Sequence, residues 1–464
     1  MISFSPLDII VLLIFFSMLL AIGFISSRKT KDTTDYLLAG RNLNLFLFVL
    51  VTVSTWYGGI LGVGEFTYRY GLLSWFTQGF PYYFFAFLFA IFFAKKIRQA
   101  SLFTIPDKLF EVYGKKVSLF SAVIVFILVS PAPYLLMTAT LMKEIFQIDF
   151  LLALIISFVL SGSYLIKGGF RSNVFVDAFQ FFIMFIGFIL AVTICFNSFG
   201  GMEFLSEKLP QSHLKFTGNT SVTFIVVWFL IALWTFADPG FHQRAYAAKN
   251  GNVAKWGIII SIFFWVLFDF LTTTTGLFAR ALFPNLEQPV MAFPFLAEKI
   301  LSPGLKGIFY AGMFATIIST LNSFLFLSAT TIGRDFFYRI KPSITDEKLK
   351  SFTSLGIILS GVISIAISYL IPSVVEIWYT IGSLFIPAII PAVFSAYFQR
   401  LKIPEKIMLL EMIIALLSGS IWYFIRQNFS DTIFYEIEPM LLGLASAVIV
   451  HLFGLFRKFS FSDK

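Results

Sequence analysis

Apolar residues follow one another in long runs along nearly the whole chain, and short polar segments separate these runs. Each run reaches the roughly 20 residues that an α-helix needs to cross a bilayer. The pattern predicts an all-α polytopic membrane protein in which residues 1–464 form one transmembrane domain of about thirteen spans. The predicted limits are Ser5–Ser27, Leu43–Tyr68, Ser74–Ala94, Val117–Met142, Phe150–Ile166, Asn173–Phe196, Val222–Ala237, Trp256–Phe283, Leu305–Gly333, Phe352–Ile371, Val375–Phe398, Ile407–Ile425 and Pro439–Phe456.

Two of these spans contain residues that interrupt a helix. The second span carries four glycines from Gly58 to Gly64, and each weakens a helix by about 1 kcal/mol relative to Ala. The seventh ends at Asp238 and Pro239, where Pro removes a helical hydrogen bond. These spans lie five apart and run in opposite directions, which is typical of two inverted five-helix repeats. The predicted repeats cover residues 43–196 and 222–398, with extra helices at 5–27, 407–425 and 439–456.

The ninth span carries hydroxyl residues at a helical spacing. Thr316, Ser319, Thr320 and Ser323 follow the pattern i, i+3, i+4, i+7, which places them on one face of a helix. Hydroxyl oxygens inside a membrane can replace part of the water around a hard cation such as Na⁺. The alternative is that these hydroxyls bond to their own helix or allow close helix packing.

The charges support the membrane class and suggest an orientation. Only 13% of the residues are charged and 58% are hydrophobic, which leaves too few polar residues to cover a soluble protein of this length. If the N-terminus lies outside, 26 of the 34 Lys and Arg fall in inside segments. The positive-inside rule therefore predicts an outside N-terminus and an inside C-terminus. It also explains the net charge of +9 without a nucleic-acid partner.

Several short motifs occur in order along the chain, each on the predicted side of the membrane. They are Asp35–Arg41 before span two, Gly62 to Gly71 at its end, Thr104-Ile105-Pro106 after span three, Gly168–Arg171 with Asp177 and Gln180 entering span six, Gln243-Arg244 after span seven, and Thr316–Thr320 in span nine. Together they resemble the sodium:solute symporter family, whose members share the leucine-transporter-type inverted-repeat fold.

This resemblance implies a sodium site between spans two and nine, with Na⁺ as the coupling ion. Ser319 and Thr320 would supply side-chain oxygens to the ion. Backbone carbonyls would come from three further residues, Thr52, Thr55 and Thr316. Asp177 would lie on the inward exit path of sodium, and its structural alternative is a buried carboxylate held by a neighbouring Arg or backbone group.

The resemblance also implies a substrate pocket, by position alone. Its residues would be Ser54, Tyr57 and Gly59 from span two, Gln78 from span three and Trp234 from span seven. Trp234 would stand where sugar-transporting members place an aromatic inner gate. The structural alternative for Tyr57 and Trp234 is core packing or contact with lipid.

The expected function is a sodium-coupled symporter that imports a small organic solute by alternating access across a plasma membrane, here a bacterial inner membrane. A proton-coupled symporter with Asp177, Glu65 or Asp238 as proton carriers is one alternative, and a transporter-like membrane sensor is another. A membrane-embedded enzyme is not expected, because the sequence offers no grouping of catalytic residues. The solute stays open among sugars, amino acids, sialic acid, carboxylates and vitamins, and so does the oligomeric state.

Overall fold

The structure is a computed structural model that describes residues 2–371, 374–429 and 433–462. The described chain is built from α-helices joined by short connections. They are α1 Pro6–Ser27, α2 Thr33–Leu38, α3 Leu45–Ser54, α4 Ile60–Tyr70, α5 Leu73–Gln78, α6 Phe80–Phe92, α7 Ala94–Ala100, α8 Ile105–Tyr113, α9 Lys115–Leu128, α10 Ala132–Phe146, α11 Phe150–Phe199, α12 Gly201–Lys208, α13 Val222–Ile231, α14 Trp234–Ala237, α15 Pro239–Ala247, α16 Gly251–Leu282, α17 Ala292–Ile300, α18 Leu305–Thr330, α19 Asp346–Leu370, α20 Val374–Tyr397, α21 Glu405–Ile425 and α22 Pro439–Ser462.

Short helices of other types connect some of these elements. The 3₁₀-helices are Ala39–Arg41, Thr55–Tyr57, Gln211–Leu214, Pro289–Met291, Gln399–Leu401, Arg426–Phe429 and Ile433–Glu436. A π-helix, Thr331–Tyr338, extends α18.

The number of spans depends on how two interrupted helices are counted. Within the described residues, eleven helical segments are long and apolar enough to cross a membrane, and the bent pair Leu45–Tyr57 and Ile60–Tyr70 makes twelve. One of the eleven is α11, whose 50 residues would extend about 75 Å as a straight helix. It contains Gly169 in a left-handed conformation (φ 54°), between two predicted spans. Counting its halves separately would give thirteen, a number that stays a prediction.

Both predicted helix breaks occur in the structure. The two halves of the second span meet at 58°. In the seventh span, Oδ1 of Asp238 caps α15 by accepting from the backbone N–H groups of Gly240 at 2.6 Å and Phe241 at 3.2 Å. One expectation needs correction. The predicted span ends at Ala237, but α15 continues it as a helix whose residues are all buried.

The central helix of the bundle is α18, and nearly all of its residues are buried. It packs against α1, α10, α11 and α19, and against the break between α3 and α4. Its polar side chains find partners there. The Oγ of Ser323 accepts from Nδ2 of Asn173 at 2.8 Å, and Nδ2 of Asn322 donates to the hydroxyl of Tyr164. The hydroxyl stripe therefore faces protein rather than lipid, as buried polar groups in a membrane require.

Segments that the sequence assigns to the basic side meet at one end of the bundle. Asp107 in α8 pairs with Arg334 at 2.9 Å and with Arg339. Asp35 in α2 pairs with Arg171 at 2.7 Å. These contacts agree with the predicted grouping of loops, while the side of the membrane on which this end lies stays a prediction.

Candidate functional site

The break in the second span lies directly against α18. The Oγ1 of Thr320 donates a hydrogen bond to the carbonyl oxygen of Thr55 at 2.7 Å, at the point where α3 changes into the 3₁₀-turn. A Cβ added at Gly58 would lie 2.3 Å from the Cβ of Thr320. Only glycine therefore allows the backbone of the break to approach α18 this closely. The approach brings a main-chain carbonyl and two side-chain hydroxyls of α18 together.

Asp177 of α11 joins this contact from the other side. Its carboxylate is fully buried and accepts from Oγ of Ser319 at 2.8 Å, from Nδ2 of Asn173 at 2.9 Å and from Oγ1 of Thr55 at 3.3 Å. Arg244 lies close enough to act on this carboxylate electrostatically, and its Nη2 donates to Oγ of Ser323 at 3.2 Å, at the edge of the same cluster. The residue predicted for the sodium exit path is thus bonded to a residue predicted to hold the ion.

The remaining predicted sodium residues lie close by in the chain. The carbonyl of Thr316 accepts from Oγ1 of Thr320 at 3.3 Å, and the hydroxyl of Thr316 donates back to Met313 at 2.7 Å. Thr52 is buried on α3, and its Oγ1 has no hydrogen-bond partner among the described residues. Carbonyl, hydroxyl and carboxylate oxygens are the ligands that hard cations prefer.

A cavity of about 280 Å³ borders this cluster, and both Thr55 and Thr320 reach its wall. Four of the five predicted substrate residues line it, namely Tyr57, Gly59, Gln78 and Trp234. Ser54 does not line it. Its side chain is fully buried, and its Oγ donates to the Val51 carbonyl of its own helix at 3.4 Å.

The sequence reasoning assigned no place in the pocket to the two acids of its wall. Asp269 of α16 lines it and accepts a hydrogen bond from the hydroxyl of Tyr83 in α6. Asp238, considered earlier only at the helix break and as a proton carrier, lines it as well. A signal for Asp269 exists, because it is the lone charged residue between Trp256 and Ala279, and ionisable residues inside spans are functional by default. What the sequence does not give is the partner, 186 positions away.

The sequence of the chain matches a known family. A profile of the sodium:solute symporter family matches residues 36–404, which is most of the chain and includes the predicted ion site and the cavity. The chain belongs to the sodium:solute symporter family. This confirms the resemblance seen in the motifs.

Several curated symporters are similar to this family member along much of its length. Sodium/myo-inositol cotransporter 2 of Bos taurus is 25% identical over 410 residues, covering 77% of this chain. The chain spans only 60% of that cotransporter's length. The osmoregulated proline transporter OpuE of Bacillus subtilis (strain 168) is 26% identical over 472 residues, covering 95% of this chain and 94% of the transporter. The sodium/pantothenate symporter of Haemophilus influenzae is 24% identical, covering 72% of each chain.

Solved structures confirm the fold of this symporter-family chain. The substrate-bound outward-open state of a Na⁺-coupled sialic acid symporter superposes with a TM-score of 0.82 at 16% identity, covering 98% of both chains. The transporter MHP1, of the nucleobase-cation-symport-1 family, superposes in a closed conformation with a TM-score of 0.59 at 11% identity, covering 91% of this chain and 94% of that one. These likenesses confirm the predicted fold class, and the limits of the two repeats stay a prediction.

Proposed function

We propose that this protein is a sodium-coupled symporter that imports a small organic solute by alternating access. Membership of the sodium:solute symporter family supports the class of activity. The observation that carries the proposal is the 2.7 Å contact between Oγ1 of Thr320 and the carbonyl of Thr55, because it joins the predicted motif on α18 to the broken span. A cavity suited to a small solute borders the same contact.

In this proposal, sodium is cargo held between the broken span and α18. Ser319 and Thr320 offer hydroxyl oxygens, and the carbonyls of Thr52, Thr55 and Thr316 complete the set. The carboxylate of Asp177 lies beside the ion. It also offers a place where the ion can bind briefly on its inward exit path. Because the ion contacts both α18 and the break, its binding favours the arrangement in which these two elements are closed on each other. The solute cavity shares Thr55 and Thr320 with the ion, which gives the two sites a physical link.

The energetics of sodium coupling are sufficient for accumulation. A membrane potential of 100 mV supplies about 2.3 kcal/mol for each charge that enters. A tenfold sodium gradient adds about 1.4 kcal/mol. One sodium ion per cycle would therefore sustain an accumulation of a neutral solute of several hundredfold, on the order of 10²–10³.

Hydrogen bonding favours sodium over the proton alternative. Glu65 is partly exposed and pairs with Arg69 at 3.0 Å on the same helix. Asp238 accepts two backbone N–H groups as a helix cap. Asp177 accepts from three donor side chains, which offsets part of the cost of burying its charged form. Each predicted proton carrier thus has an interaction that favours a charged carboxylate.

The proposal includes a membrane and an orientation. We place the N-terminus outside and the C-terminus inside a plasma membrane, a bacterial inner membrane, because basic residues then concentrate inside. The meeting of the basic segments at one end of the bundle agrees with this assignment.

The decisive experiment measures how sodium stabilises the purified protein. The apparent melting temperature is recorded in NaCl and in KCl, because an ion that binds only the folded state raises it. We expect the sodium-specific rise to disappear in the double variant Ser319→Ala, Thr320→Ala. Thr330→Ala is the matched control. It removes a buried hydroxyl from the same helix, and within the described residues that hydroxyl bonds only to the Phe326 carbonyl at 2.8 Å. A full sodium response in a well-folded double variant would contradict the proposal.

A further inference from the structure

Two carboxylates line the cavity, and they differ in their charged and hydrogen-bonding partners. Asp238 accepts two backbone N–H groups at the start of α15, and Arg244 lies beside it. Asp269 is equally enclosed, with 8% of its surface exposed. In the part of the chain that the structure describes, no Lys, Arg or His pairs with it. A buried carboxylate without a cation is costly, so Asp269 lacks a positive partner that Asp238 already has.

The hydrogen bonds around Asp269 point toward it. Trp75 can only donate, and its Nε1–H donates to the hydroxyl oxygen of Tyr83 at 3.2 Å. The hydroxyl of Tyr83 then donates to Oδ2 of Asp269. This chain of donors makes the carboxyl an acceptor, and hydrogen bonds of that direction favour the ionised form. The hydroxyl of Tyr57 is engaged with the carbonyl of Trp265 at 2.7 Å. These donors therefore offset part of the cost that burial imposes on a negative charge at the wall of the cavity.

The rest of the cavity wall also suits a cation. Nine of its 28 described lining residues are aromatic, and Trp56 and Tyr82 among them pack edge to face at a centroid distance of 4.9 Å. Ring faces of Trp and Tyr attract ammonium groups. Among the described residues that line the cavity there is no Lys, Arg or His to meet a carboxylate or phosphate.

We propose that the solute carries an ammonium group that pairs with Asp269, and that it carries no free carboxylate. This inference rests on the proposed symporter function and narrows its solute to an organic ammonium cation. The ammonium group would supply the positive charge that Asp269 lacks, while the aromatic rings would surround its apolar substituents. The volume of about 280 Å³ limits the solute to a small molecule.

The test compares matched probes for binding to the purified protein in NaCl, by isothermal titration calorimetry. Choline and ethanolamine are the ammonium probes. Their neutral counterparts are 3,3-dimethylbutan-1-ol and propan-1-ol, and glycine betaine adds a carboxylate to the quaternary ammonium. We expect at least one ammonium probe to bind about tenfold or more tighter than its neutral counterpart, and choline to bind more tightly than glycine betaine. Equal binding of charged and neutral partners, tighter binding of betaine, or no binding of either ammonium probe would overturn the proposal.

The variant Asp269→Asn tests the role of the charge at constant size. Ammonium affinity should fall about 30-fold or more, while affinity for the neutral counterpart should stay within about threefold. Glu65→Gln is the matched control, because it removes a carboxylate that is partly exposed and already paired with Arg69. An Asp269→Asn protein that keeps its ammonium affinity would show that the acid is neutral or unused, and would overturn the proposal.

The sodium response separates this inference from the broader proposal. Asp269→Asn should keep the sodium-specific rise in melting temperature, since its side chain has no bond to the Ser319 and Thr320 cluster. A normal sodium response together with tight, sodium-linked binding of myo-inositol or proline would overturn the ammonium solute and leave the symporter in place. If the wild-type protein shows no sodium-specific rise in melting temperature, the symporter proposal itself is overturned.

Discussion

The contact between the broken span and α18 differs sharply from the cavity beside it. The contact is made of small groups, with Gly58 against Thr320 and hydroxyls within hydrogen-bond distance of a carbonyl. The cavity is walled by large rings and holds a carboxylate with no cationic partner in the described chain. A hard ion of fixed size needs close oxygen atoms, whereas an organic solute needs space, ring surfaces and one anchoring charge. In the proposed function, the two regions would thus reach selectivity through opposite packing, although they share Thr55 and Thr320.

The largest expected effect comes from Arg244, which serves both regions. It donates to Ser323 on the ion side, and its charge faces both Asp177 and Asp238. Arg244→Ala would leave two buried carboxylates without a cation and should destabilise the protein by about 3–5 kcal/mol. Arg69→Ala, which removes a half-exposed arginine with one surface pair, should cost about 1 kcal/mol or less. Melting temperatures in detergent compare the two variants, and a similar loss in both would mean that Arg244 does not link the regions.

A second change disrupts only the close packing of the broken span against α18. Gly58→Ala places a Cβ 2.3 Å from that of Thr320, and such overpacking should cost about 1–3 kcal/mol. The sodium-specific rise in melting temperature should also shrink, because the break is pushed away from α18. Gly382→Ala provides the contrast, since its Cβ would meet only Ile386 at an ordinary 3.5 Å. If Gly58→Ala keeps both its stability and its sodium response, close packing is not what builds the ion site.

A third pair of changes addresses the cavity alone. Gln78→Ala and Trp234→Ala remove wall residues that, in the described structure, share no hydrogen bond with the Ser319 and Thr320 cluster. Each should weaken solute binding about tenfold, on the order of 1.4 kcal/mol, while leaving the sodium response intact. Calorimetry with the tightest-binding probe measures the first quantity, and melting in NaCl and KCl measures the second. Normal solute affinity in both variants would mean that the solute binds elsewhere.

The smallest expected effect on stability comes from changes that test the orientation of the protein in the membrane. Lys341→Cys and Asn428→Cys change exposed residues, so on a Cys195→Ser background each should leave the stability of that background unaltered. A membrane-impermeant thiol reagent applied to intact cells should label position 428 and not position 341. The reverse pattern would invert the orientation and with it the direction of transport.

The parts of the contact between the broken span and α18 have local signals in the sequence, while their meeting was implied by the family resemblance, and the sodium assignment stays a prediction. Thr316, Ser319 and Thr320 belong to one helix, so their spacing alone fixes a shared face. Gly58 marks the break through its effect on helix stability. Asp177 stands out as a carboxylate in an apolar span. The hydroxyl face, the helix break and the carboxylate can each be recognised from a few neighbouring residues. The structure brings all three together.

The cavity was only partly predictable, because its walls come from helices far apart in sequence. Periodicity assigns a residue to a helix face and does not say which helix that face meets. Ser54 and Tyr57 are three positions apart, yet only Tyr57 lines the cavity, while Ser54 is fully buried and donates to the Val51 carbonyl of its own helix. The pairing of Asp269 with Tyr83 depends on tertiary packing alone.

The continuation of the seventh span was missed for a related reason. The helix α15 contains His242, Gln243 and Arg244, which lower its hydropathy although all three are buried. An apolar pattern therefore stops at Ala237, while the helix goes on. Buried polar residues that serve a site are the ones that a hydropathy argument assigns to a loop.

The cavity wall also gives this protein an optical property. Four of its eight tryptophans, Trp56, Trp75, Trp228 and Trp234, line the cavity. Indole emission depends on the water and charges around the ring, so a solute that displaces water there alters both the intensity and the wavelength of the protein's own fluorescence. Trp422 of α21 donates its Nε1–H to the Ile437 carbonyl at 2.7 Å and supplies a steady background fluorescence. Occupancy of the cavity can thus be followed in real time, without a label, during rapid mixing.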